Sequence, residues 1–463
     1  MTALSRRRFL AASAASAAAS ATSVGAPAIA APIKGQVAIA IIGAGVAGIA
    51  AARRILSTTK ASIAFIEASD RIGGRCFTDT STFGVPFDRG AHWIRTPETN
   101  PVTPLAAKSG FDIYPSPPGQ RVRIGRRYAR AGEMEDYLTA SVRAGRAIVQ
   151  AGRGRDISCA QALPMDLGDW QQTIEFVLGP FGSARELSEL STADFARSTE
   201  READAVCRQG LGALITKLAE GLPVQLTTAA SRIDWSERNN IEIATARGRL
   251  SARTVIVTVS TGVLMSDKLR FDPELPRRHV DAIEKLRLGS YDHIALELPG
   301  NPLGLQRDEI VFEKSESART AAILANISGS ALCTIEVGGK FGGELAAAGE
   351  PAMISFALDW LAGLYGADIR KSVRRTSATR WNHQPWTLGA FSSAAPGGQW
   401  ARATLAEPVR NRLFFAGEAT HETMWGTVGG AWASGERAAD AALIRLGFIS
   451  EPPEPKRPAA SRR

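Results

Sequence analysis

Val37-Ala38-Ile39-Ala40-Ile41-Ile42-Gly43-Ala44-Gly45-Val46-Ala47-Gly48 decides the fold of this chain. An apolar run feeds a glycine turn, a helix-like stretch follows, and a second apolar run from Ala61 to Ile66 ends at Glu67. The order is strand, tight turn, helix, strand, acid. Gly43 permits the turn, Gly45 lets backbone approach a pyrophosphate, and Gly48 lets the helix pack on the strand, while the helix N-terminus offers N–H groups to phosphate. Glu67 stands 19 residues beyond Gly48, close to the roughly 20 expected of the acid that holds a ribose hydroxyl. The reading is a dinucleotide site at the start of an α/β fold.

Glu67-Ala68-Ser69-Asp70-Arg71-Ile72-Gly73-Gly74-Arg75 continues without a break. Paired glycines allow close backbone approach, and Arg71 and Arg75 can fork onto phosphate oxygens. This run resembles the second FAD signature of the flavin-containing amine oxidase superfamily. Further landmarks of that family follow: Gly90-Ala91-His92-Trp93-Ile94-Arg95, Val255 to Leu264, Phe271 to Pro276, Trp381 to Ser392, Phe414-Phe415-Ala416-Gly417-Glu418 and Gly426 to Ala431. The likeness runs from about residue 36 to residue 446.

The resemblance implies a Rossmann-like FAD-binding domain, discontinuous in sequence, with an inserted α+β substrate domain. Residues 34–115, 205–290 and 376–446 are expected to form the FAD-binding domain, and 116–204 and 291–375 the substrate domain, with 116–204 largely helical by apolar spacing. By resemblance Gly90, Ala91, Ala230, Trp381, Gly417, Glu418, Thr427 and Val428 join Gly43, Gly45, Gly48, Glu67, Arg71, Gly74 and Arg75 around FAD. Ala390 stands where monoamine oxidases place a flavin-bonding cysteine, which implies non-covalent FAD.

The implied chemistry is oxidation of an amine by hydride transfer to flavin, giving an imine that hydrolyses to carbonyl and amine. Such a site needs shape and desolvation more than a strong acid–base pair. Phe391 matches one aromatic wall, whereas Thr427 occupies the place of the second tyrosine of monoamine oxidases, so one wall is missing. Trp93 and Trp386 are further candidates for substrate contact. His293 replaces the lysine that the family ties to oxygen reactivity, which opens the choice between oxygen and a periplasmic electron carrier as acceptor. Arg95 offers an alternative, an L-amino-acid oxidase in which it clamps a carboxylate. A flavoprotein without turnover, serving as an electron-relay or binding module, is the alternative from another class.

Ser5-Arg6-Arg7-Arg8-Phe9-Leu10, an alanine-rich stretch and Ala28-Ile29-Ala30 read as a twin-arginine export signal over residues 1–30, processed by that export machinery to a periplasmic protein. Glu451 to Arg463, with four prolines, reads as a disordered tail. The net charge is +9, and no dense Lys/Arg run interleaves with aromatics, which argues against nucleic acid as partner. No run beyond the leader reaches the roughly 18 apolar residues of a membrane span. The four cysteines, Cys76, Cys159, Cys207 and Cys333, have no metal-ligand spacing, and no metal is expected.

Overall fold

The computed structural model describes residues 35–117, 119–198 and 204–451. The expected export signal and all but Glu451 of the expected tail lie outside these residues.

The apolar runs become parallel strands. Gln36–Ile42 pairs with Ile63–Ile66 on one side and with Gly248–Val257 on the other, and Val224–Gln225 extends the sheet beyond Ile63–Ile66. The long strand Gly248–Val257 serves two neighbours along its other edge. Its first half pairs antiparallel with Ile241–Thr245, and its last residues pair parallel with Leu413–Phe415 from the far end of the chain. Buried on both faces, these strands read as continuous apolar runs, as parallel strands covered by helices must.

The helix Val46–Thr58 covers this sheet, and the last helix, Val428–Leu446, lies against it. Small residues make the contact close. A Cβ on Gly48 would stand 1.9 Å from the Gly43 carbonyl oxygen and 3.2 Å from the Phe65 ring, and one on Gly435 would stand 2.1 Å from the Ala47 carbonyl oxygen. Gly48 thus fills its expected packing role. The two ends of the chain meet in one apolar core with Ile39, Ile49, Ile55, Phe65, Ala439 and Leu443.

A second sheet runs in the order Thr376–Ala378, Tyr291–Glu297, Leu332–Gly338, Ala322–Ala325, Glu309–Glu313, Arg121–Ile124 and Arg127–Tyr128. Strand alternation sorts its residues. Ile294, Leu296, Ile335 and Val337 point to a core shared with Met353, Trp360 and Leu361 of the helix Glu350–Tyr365, so Tyr291, His293, Thr334 and Glu336 face the other way. Two strands of this sheet, Arg121–Ile124 and Arg127–Tyr128, come from the stretch expected to be largely helical, whose helices start at Ala131–Ala151. Thr376–Ala378, expected in the FAD-binding part, pairs with Tyr291–Glu297 instead. A third, three-stranded sheet sets Asp204–Cys207 between Trp93–Arg95 and Ile113–Pro115.

Among the described residues all four cysteines are buried and unpaired, no helix is long and apolar enough to cross a membrane, and no group of acidic, His and Cys side chains could hold a metal ion.

Candidate active site

The two larger sheets and the segments between them enclose a cavity of about 590 Å³. Every candidate named from the sequence lines it except Gly48, which packs beneath.

At one end Gly43 takes a positive φ of 101° at the close of the first strand, and the N–H of Gly73 donates to the Ala44 carbonyl at 2.8 Å, so the two glycine signatures touch. Glu67 ends the next strand there. Its Oε2 accepts from the Ala44 N–H at 2.6 Å and its Oε1 from the Ser69 N–H and hydroxyl at 2.8 Å each, which fixes the carboxylate at the cavity wall. A Cβ on Gly45 would meet no protein atom within 4 Å. That open face, beside a helix N-terminus and an anchored acid, is the cradle a dinucleotide needs. Ala230 lines the same cavity.

Both guanidiniums line the cavity, and each is held by protein groups through Nη1. Arg71 donates from Nη1 to the carbonyls of Ile72 and Gly74 and stacks 4.4 Å from the centre of the Phe77 ring. Arg75 donates from Nη1 to the Ala390 carbonyl at 2.6 Å and to Glu418 Oε1 at 2.9 Å. Glu418 is buried and also accepts from the N–H groups of Ser392 and Gly426 and from the Ser392 hydroxyl. Burial alone would raise its pKa, but Arg75, Ser392 and Arg402 outweigh it and hold the carboxyl below its ordinary range. Arg402 is itself buried, in a two-pronged pair with Asp194 and 4.6 Å from the centre of the Trp425 ring.

Trp381 is fixed from three sides. Its indole N–H donates to the Arg89 carbonyl, its backbone N–H to Asp292 Oδ1, and its ring limits the space at Gly90, where a Cβ would stand 2.9 Å from the ring and 2.0 Å from the Arg75 carbonyl oxygen.

Thr427 does not serve as a wall. Its hydroxyl caps the last helix, accepting from the Gly430 N–H at 3.0 Å and donating to the Met424 carbonyl at 2.6 Å. The other first-turn N–H groups of that helix have no intrahelical partner, the usual condition of a helix start, and Thr427 and Val428 line the cavity there.

Beside Phe391 stand two aromatic rings that were not singled out from sequence. Tyr291 stands with its ring centre 5.9 Å from that of Phe391 and 6.1 Å from that of Phe181, and all three line the cavity. Glu336 is a further residue not singled out from sequence. It is buried and lines the cavity directly across the strand pair from His293, 3.6 Å from the imidazole Nε2. A lone carboxylate inside the largely apolar run Leu332 to Val337 was the signal available for it. His92 is another. It is buried with Nδ1 3.2 Å from Asp88 Oδ2, and its Nε2 has no hydrogen-bond partner in the protein. Arg95 lines the cavity, but Nη1 pairs with Asp204, the residue directly across its strand pair. Trp386 remains 38% exposed, with the Lys268 ammonium 5.1 Å from its ring centre, so it stands where the cavity meets solvent.

A cradle for a dinucleotide thus runs into an aromatic chamber, and a family model for flavin containing amine oxidoreductases matches residues 46–443. The chain belongs to this family. FAD is its cofactor, and Ala390 offers no thiol for a covalent link.

Among family members, the chain is 27% identical over 450 residues to lysine-specific histone demethylase 1 homolog 2 of Arabidopsis thaliana, covering 89% of this chain and 59% of the relative. It is 26% identical over 445 residues to polyamine oxidase 4 of Oryza sativa subsp. japonica, covering 88% and 89%. It spans less than two thirds of the demethylases' length. In fold, it is similar to putrescine oxidase bound to putrescine, with a TM-score of 0.74 at 20% identity over 88% of this chain and 99% of the other. Cyclohexylamine oxidase from Brevibacterium oxydans IH-35A gives the same TM-score and identity over 89% and 100%.

Proposed function

We propose that this protein oxidises a small-molecule amine with FAD and releases, after hydrolysis of the imine, a carbonyl compound and an amine. One observation carries the reading: a single cavity is lined both by the dinucleotide cradle, with Gly43, Gly45, Glu67 and Glu418, and by the aromatic chamber of Phe181, Tyr291 and Phe391. FAD bound in the cradle would accept a hydride from the carbon beside the amine nitrogen. The aromatic walls exclude water and orient that carbon, and they favour the neutral amine, whose lone pair assists the loss of hydride.

Putrescine oxidase and cyclohexylamine oxidase share the fold, and amines of that size define the first test. Anaerobic mixing with a panel of putrescine, cyclohexylamine, benzylamine and L-amino acids should bleach the flavin absorbance with at least one amine. A flavoprotein serving only as a binding or relay module would stay yellow with all of them. Reoxidation by air, compared with reoxidation by a cytochrome, then assigns the acceptor. The sequence of residues 1–30 supports export by the twin-arginine route to the periplasm, and a carrier of that compartment is the acceptor to compare with oxygen. Replacing Arg6 and Arg7 by lysine should strand holoprotein in the cytoplasm if that route operates.

A further inference from the structure

Amines reach an enzyme at neutral pH mostly as ammonium ions, and only the neutral amine can lose hydride readily. A proton must therefore leave the bound substrate. The second sheet places one pair of side chains on the cavity wall suited to receive it. His293 and Glu336 are directly opposite in antiparallel strands, which puts their side chains on the same face. Both are buried, both line the cavity, and Nε2 lies 3.6 Å from Glu336 Oε2. The Thr334 hydroxyl donates to the other carboxylate oxygen, Oε1, at 2.5 Å, which holds the group in place. Tyr291, part of the aromatic wall, has its ring centre 5.8 Å from the imidazole's.

We infer that His293, oriented and charge-balanced by Glu336, accepts the proton that the substrate ammonium gives up before oxidation. The inference rests on the amine-oxidising reading above. In the step, an N–H bond of the ammonium breaks, its electron pair stays on the amine nitrogen, and the proton forms an N–H bond on the imidazole. Net charge in the cavity is unchanged, because the positive charge moves from substrate to imidazolium beside the Glu336 carboxylate. Burial lowers the His293 pKa, Glu336 and Asp88 oppose that, and His92 and Arg89 add to it, which favours the neutral imidazole that can accept a proton. The same desolvation acts on a bound ammonium and lowers its pKa, which favours the loss of its proton.

The test uses the holoenzyme and separates this role from that of a strand residue. With the amine of the panel that bleaches fastest, the limiting rate of anaerobic flavin reduction is followed by stopped flow against pH. In Glu336→Gln the acid limb should move to higher pH, with the rate at pH 7 lowered roughly tenfold or more and approaching wild type where the amine is already neutral. Glu336→Asp should move it less. An equal loss at every pH, or an unmoved limb, would overturn the proposal. A second readout needs no turnover: of the five histidines, the imidazole NMR signal missing in His293→Gln should titrate at lower pH in Glu336→Gln than in wild type. An unchanged midpoint would remove the coupling on which the proposal rests. If no amine bleaches the wild-type flavin, the amine-oxidising reading falls and takes the inference with it, whereas bleaching with an unmoved limb sinks the inference alone.

Discussion

Arg75 and Glu418, 343 residues apart in the chain, meet in an ion pair of 2.9 Å at the wall of the cofactor cavity. The pair joins the segment after the glycine turn to the segment that opens the last helix, and the Glu418 carboxylate accepts from four groups in all. Glu418→Ala should therefore cost about 3 kcal/mol of stability, since it leaves the Arg75 charge without its carboxylate and the Gly426 and Ser392 N–H groups without their acceptor. The same variant should retain less FAD on gel filtration. Because Glu418 ionises below its ordinary range in the folded protein, its contribution is present above the unfolded carboxylate pKa and is lost as pH falls through the lower folded value. Melting curves of wild type and variant should converge in acid.

Asp292 has the opposite sign. It is fully buried, its Oδ1 accepts from Thr379 and Trp381, and its Oδ2 has no partner. Burial pushes its pKa from the ordinary 3.8 up to about 7. A carboxyl that stays protonated in the folded state and ionises in the unfolded one favours folding below pH 3.8, and this advantage declines as pH rises to about 7. Asp292→Asn keeps the acceptor without the titration. Between pH 4 and 7 the wild type should lose on the order of 4 kcal/mol relative to this variant, read from urea unfolding at several pH values. Parallel pH dependences would show that Asp292 ionises normally.

The two glycines of the turn should separate folding from cofactor binding. Gly48→Ala places a methyl group 1.9 Å from the Gly43 carbonyl oxygen, and a clash with backbone should cost roughly 1–3 kcal/mol or more. Gly45→Ala meets no protein atom within 4 Å at an ordinary φ of −73°, so the apoprotein should melt as wild type while FAD affinity falls. Thermal melts of apoproteins and flavin titrations read the two effects independently, and normal FAD affinity in Gly45→Ala would place the pyrophosphate elsewhere.

Arg95→Ala distinguishes amine from amino acid. Its pairing with Asp204 engages the charge a substrate carboxylate would need, so the substitution should affect L-amino acids and carboxylate-free amines alike. A loss of roughly 1.5–3 kcal/mol confined to L-amino acids would make it the carboxylate clamp.

His293 bears on the acceptor as well as on the proton. By the resemblance His293 replaces a lysine tied to oxygen reactivity, so the reduced enzyme should react slowly with oxygen, and His293→Lys should speed reoxidation in air. Timing the reoxidation alone keeps this effect apart from any change in flavin reduction. Rapid wild-type reoxidation, or no gain from lysine, would free oxygen reactivity from this position.

The cradle was legible because its parts are local. Gly43, Gly45 and Gly48 act within one turn and one helix, and Glu67 closes the adjacent strand, so spacing along the chain carries the geometry. Tyr291 and Glu336 were not, since their importance depends on the register between strands some forty residues apart. A lone carboxylate within Leu332 to Val337 hinted at Glu336, but nothing nearby in sequence paired it with His293. Thr427 shows the reverse. A threonine just ahead of a glycine- and alanine-rich helix is a capping signal, and that local demand occupies its hydroxyl. The strands Arg121–Ile124 and Arg127–Tyr128 were hidden because pairing with Glu309–Glu313 and with each other, not local pattern, defines them.

The strand Leu413–Phe415 completes one edge of Gly248–Val257, and the helix behind it closes on the helix of the opening turn. On the ribosome, where a chain emerges from its N-terminus, the glycine turn is made hundreds of residues before the strand and helix that finish its surroundings. The turn and Glu67 can form early, but the walls that Trp381, Glu418 and Val428 add around the cradle can join only after those segments have been made.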